Sequence, residues 1–128
     1  MSTLKLNQLR YESDTWKRLL GFMTDENVHL KNRLTEILKE DFNTDMLVEV
    51  EEFQNRFVKE DVIIGLVRSD IAELDKLLTL DQFSDGKVAK EIERKIKKLR
   101  NTINSAEETF GKLKLDFNSY MSENIQWE

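Results

Sequence analysis

Residues 89–120 read AKEIERKIKKLRNTINSAEETFGKLKLDFNSY, and the spacing of their apolar positions decides the fold. Ala89, Ile92, Ile96, Leu99, Ile103, Ala106, Phe110, Leu113, Phe117 and Tyr120 follow at alternating steps of three and four. At about 3.6 residues per turn, that rhythm keeps all of them on one side of a helix, as in helices packed through a heptad seam. The same rhythm recurs twice upstream. One segment carries Leu6, Leu9, Ser13, Trp16, Leu20, Met23, Asn27, Leu30, Leu34 and Ile37. The other carries Met46, Val50, Phe53, Phe57, Glu60, Ile64, Val67, Ile71, Leu74 and Leu78. Only Ser13, Asn27 and Glu60 among these positions are clearly polar.

Turn chemistry marks the breaks. Asp41-Phe42-Asn43-Thr44 divides the first two segments, with Asn43 or Thr44 suited to cap and Asp45 placed against the positive helix end. Thr79 to Gly86 divides the second and third, with Ser84 or Asp85 as the cap. The prediction is an all-α, antiparallel up-down-up bundle of three long helices with heptad-like seams, a single domain over 1–128. The helices fall at about 3–40, 44–79 and 85–124, since short connections force antiparallel neighbours. A cap at Ser13-Asp14 is the alternative start for the first helix, which would leave residues 1–12 as a separate piece.

Composition agrees. The chain has no proline and four glycines in 128 residues, which favours uninterrupted helix. Charged residues make up 35% and apolar residues 39%, but the apolar ones are regularly placed, which argues against disorder. The absence of cysteine removes disulfides, thiolate metal sites and cysteine nucleophiles, and fits a reducing compartment. No continuous apolar stretch in MSTLKLNQLRYESD suggests a signal peptide, and the longest apolar run, Val62 to Val67, is far too short to cross a bilayer. The expectation is a cytoplasmic protein with no membrane partner.

Few residues carry a pattern suited to chemistry. Glu26 and His29 form one Glu-x-x-His pair, the spacing that di-iron bundles use twice, but His29 is the only histidine and falls on the outer face. There is no phosphate-binding glycine loop, catalytic triad or metal-ligand spacing, so no enzyme activity, cofactor or metal is expected. Asn27 and Glu60 occupy central seam positions at similar heights, with Asn104 and Ser105 expected near the same level. They read as a polar core layer that fixes helix register, as a seam edge wet enough to solvate Glu60, or as a small-ligand or ion-binding pocket. Lys87, Lys90, Arg94, Lys95, Lys97, Lys98 and Arg100 crowd the start of the third helix. Without interleaved aromatics, and with Asp70, Glu73 and Asp75 opposite, they read as a solvated face; nucleic-acid binding there is the weaker alternative.

The most informative departure is apolar residues off the seams. Val58, Val62, Gly65 and Leu66 make the middle of the second helix apolar nearly all round, and Gly21, Phe22 and Val28 lie off the seam of the first at a similar height. They are explained by internal packing of a wide face, by a protein interface, or by a ligand groove. The expected function is a non-enzymatic interaction or adaptor module whose partner is another protein or a second copy, as a homodimer through these residues. Trp127 is a second loose end, packing on the aromatic end of the bundle or on a partner.

Overall fold

The computed structural model describes residues 2–40, 43–80 and 86–124, and it is a three-helix bundle. Helix α1 runs Thr3–Glu40 without a break. It is capped from Ser2, whose hydroxyl accepts from the Lys5 amide at 3.2 Å and whose carbonyl accepts from the Leu6 amide at 2.9 Å. Residues 3–12 therefore belong to this helix. Ser13 does not start one: it is buried, and its hydroxyl donates to Asp75 at 2.7 Å.

A short 3-10 turn, Thr44–Met46, precedes α2, Leu47–Leu80, so the second α-helix begins three residues later than its spacing suggests. Asn43 caps the turn, its side-chain oxygen accepting from the Asp45 amide at 3.0 Å. Helix α3 spans Gly86–Asn124. The expected contributions of Asp41, Phe42, Ser84, Asp85 and Trp127 lie outside the described residues.

Polar contacts across the seams give the helix directions. Ser13 meets Asp75 while Asn27 meets Asp61, so α1 and α2 are antiparallel. Lys95 meets Glu73 while Arg56 meets Asp116, so α2 and α3 are antiparallel too. Helices α1 and α3 run parallel, linked by Arg100 to Glu12, Lys114 to Glu26 and Arg33 to Asn118. Each pair sits beside the apolar stripe, where heptad flanks set alignment. Exposed pairs of this kind contribute only about 0.2–1 kcal/mol each, so they specify register more than stability. Helix α2 packs against both others, whereas α1 and α3 touch each other much less.

The core consists of the stripes read from the sequence. All ten seam residues of α1 are buried, as are nine of α2 and eight of α3. Met46, Ala89 and Tyr120, at the ends of their stripes, are half-buried. Four rings gather at one end of the bundle. Phe53 and Phe57 each meet Phe117 edge-on at 5.3 Å, and Phe53 lies 5.3 Å from Tyr120. The Arg56 and Arg33 guanidiniums cover the Phe53 and Phe117 rings at 5.6 and 5.8 Å, sealing the cluster with cations that favour a ring face.

Candidate interaction surface

The bundle is closed without using the off-seam apolar residues. Val58, Val62 and Leu66 are 58%, 57% and 63% exposed, and Phe22 and Val28 are 61% and 47% exposed. Internal packing does not account for them. Nor do they form one patch, because neighbours in sequence are thrown to different sides of a helix, while residues three or four apart share a side.

Val28 stands four residues after Thr24 and three before Lys31, which contact Arg68 and Asp61 of α2. Gly21, between Lys17 and Thr24, lies on the same α2 side. Gly65, between Asp61 and Arg68, faces the α1 side of α2, and Val58 lines a shallow α1/α2 groove with Lys31, Leu34 and Thr35. Phe22 goes the other way, into a groove with Leu19, Met23, Glu107, Phe110 and Lys114 between α1 and α3. Leu66 lies two turns before Glu73, which reaches Lys95, and so leans toward α3. Val62 points straight out between them. The coherent group is thus Gly21, Val28, Val58, Val62 and Gly65, with Leu66 at its margin and Phe22 apart.

Neither glycine serves the bundle. A Cβ at Gly21 or Gly65 would meet nothing within 4 Å. A mid-helix glycine costs about 1 kcal/mol of helix propensity relative to alanine, and no contact within the chain offsets that. Two residues escaped the sequence reading: Ser69 and Ala72, both exposed, continue the Val58–Val62–Gly65 spacing toward the end of α2. The signal was present as a second three-four rhythm, hidden because Val58, Val62 and Gly65 continue into a serine and an alanine, neither of them a large apolar side chain.

The polar layer is buried. Asn27 is fully enclosed and Glu60 is 2% exposed. The Asn27 amide donates to the Phe57 carbonyl at 3.0 Å and to Asp61 Oδ1 at 2.8 Å, and Lys31 also binds Asp61. Asn27 Oδ1 and Glu60 Oε2 have no hydrogen-bond partner. Burial pushes the Glu60 carboxyl above the usual carboxylate range; Arg56 opposes the shift and Asp61 adds to it. Asn104 and Ser105 do not join this layer: both are exposed, and the Glu26–Lys114 and Arg56–Asp116 pairs put its level on α3 near Lys114 rather than Asn104.

His29 is exposed and Glu26 is taken by Lys114. Among the described residues, no group of three or more histidine, cysteine, aspartate or glutamate side chains is placed to hold a metal. In the basic run, Lys95 and Arg100 are drawn to Glu73 and Glu12 at 2.7 Å, and Arg94 lies 3.8 Å from Glu91. Its charge is therefore partly neutralised within the bundle. No described helix is long and apolar enough to cross a membrane. No family model, curated protein or solved structure matches the chain.

Proposed function

We propose that this chain is a non-enzymatic interaction module that self-associates through the middle of α2 and the adjoining edge of α1. The carrying observation is the exposure of Val58, Val62 and Leu66 on a helix whose other face already fills a complete core. Single exposed apolar side chains are ordinary on soluble proteins, but neighbouring ones on one helix mark a surface that meets another molecule. A protein partner on this surface, in place of a second copy, keeps the interaction role and changes only the occupant.

Sedimentation velocity tests the reading. A species of twice the 15.2 kDa chain mass is expected at micromolar concentration. Val62→Asp together with Leu66→Asp should return it to monomer with its helicity intact, because both side chains are outside the core. A wild-type chain that stays monomeric at every concentration removes self-association.

A second reading, a small-ligand or ion site at Asn27 and Glu60, draws on their two unpartnered oxygens. Both accept hydrogen bonds when Glu60 is ionised, so the occupant would be a cation or a hydrogen-bond donor. A melting temperature raised by added cation in the wild type, and not in Glu60→Gln, is the result expected of such a site; no shift in either removes it.

A further inference from the structure

We infer that α2 pairs with α2 of a second copy in an antiparallel dimer whose two-fold axis passes between Val62 and Gly65. The inference rests on the self-association reading above and adds its geometry. On the outward side of α2, Glu51, Asn55, Val58, Val62, Gly65, Ser69, Ala72 and Lys76 follow steps of four and three, and all are exposed. This is a second heptad seam, offset from the one that packs the core. It occupies about 38 Å of helix at 1.5 Å per residue.

The order of residues along this seam selects the direction and the register. Its first half is larger and ends acidic, at Asn55, Val58, Val62 and Glu51. Its second half is small and ends basic, at Gly65, Ser69, Ala72 and Lys76. A parallel pair would place Val62 on Val62, Gly65 on Gly65 and like charges at both ends. An antiparallel pair about the stated axis places Val62 over Gly65 of the second copy, Val58 over Ser69, Asn55 over Ala72 and Glu51 beside Lys76.

Every large side chain then meets a small one, so that knobs have room to enter, and both charged ends are complementary. Neither Glu51 nor Lys76 forms a salt bridge among the described residues, although Lys76 stands near enough to Glu73 of its own helix to help lower that carboxyl's pKa. The open space above Gly65 is where the Val62 side chain of the second copy fits. Val28, on the α1 edge at this height, adds apolar flank. Glu52 approaches Glu73 of the second copy on the other flank, where Lys95 already neutralises Glu73.

Cysteine cross-linking tests the register against a background of no native cysteine. Disulfides need Cβ atoms within about 3.5–4.5 Å, so they report alignment closely. Asn55→Cys mixed with Ala72→Cys should yield a mixed disulfide dimer on mild oxidation, while each variant alone should yield little. A parallel dimer would instead cross-link each variant with itself and overturn the inference. Charge reversal supplies a second measurement: Glu51→Lys or Lys76→Glu should weaken dimerisation roughly tenfold, and the double variant should restore it.

A dimer that forms in sedimentation, but whose cysteines pair otherwise and whose double reversal fails to rescue, overturns the register and leaves self-association standing. A chain that is monomeric throughout overturns both.

Discussion

Phe117→Ala is expected to lower the unfolding free energy by about 3–5 kcal/mol, the range for deleting a fully buried aromatic side chain. Phe117 has no exposed surface and meets Phe53 and Phe57 edge-on, each at 5.3 Å, so its ring joins α3 to α2 at the end of the bundle. The cavity cannot collapse easily, because these partners sit on a long helix held in register by pairs such as Arg56 with Asp116. Arg33 would lose the ring it covers. Against a total stability of about 5–15 kcal/mol for a domain, the loss is a large fraction. Urea unfolding at one fixed protein concentration measures it, fixed because association would itself add stability. Leu115→Ala is the control: that side chain is 70% exposed two residues away and should change stability by no more than about 0.5 kcal/mol. Equal losses in the two variants would show that the aromatic cluster is not packed as described.

How much of this was legible in the sequence depends on what periodicity encodes. A three-four rhythm states which residues share a side of a helix, and that is nearly all a long antiparallel bundle needs. Ser13, Asn27 and Glu60 keep step with their apolar neighbours despite their polarity, and all three are buried. The ends were less legible, since a stripe's final residues have no further helix to cover them; Met46, Ala89 and Tyr120 are accordingly half-buried. The candidate surface was legible only as a set of residues off the seam. Gly21 and Phe22 differ by one position, about 100° of rotation, and lie toward different partner helices. Nothing in the spacing says which flank of α1 meets α2 and which meets α3. That assignment comes from Thr24, Lys31 and Glu26 reaching across to their partners. Asn104 and Ser105 show a further limit, since folding the chain about its loops only estimates height: Glu26 meets Lys114 and Arg56 meets Asp116, so the level of Asn27 and Glu60 on α3 lies well beyond them.

Glu60→Leu is expected to raise stability at neutral pH by about 1–3 kcal/mol, because a well-packed apolar side chain replaces a buried acid that no cation fully compensates. Glu60 is 2% exposed, its Oε2 lacks a partner, and Asp61 stands beside it while only Arg56 attracts it. Burial therefore favours the neutral acid, and the folded-state pKa lies above the unfolded one. The sign of the pH effect follows. The folded chain holds the proton more tightly, so Glu60's contribution is fully favourable below the unfolded value of about 4.3 and is lost as pH rises through the folded value. Paired carboxylates act oppositely; Lys95 lowers the Glu73 pKa, so that group's contribution is lost as pH falls. Total stability mixes the two, and the useful quantity is the difference between wild type and Glu60→Gln. Glutamine keeps the shape and cannot ionise, so its advantage should be greatest near pH 8 and shrink toward pH 4. Chemical unfolding across that range gives the difference directly. A flat difference would mean that Glu60 has the same pKa folded and unfolded, and that the polar layer is wetter than its burial implies. A difference that closes toward acid pH would show that the bundle carries an acid at its centre that it holds best without charge.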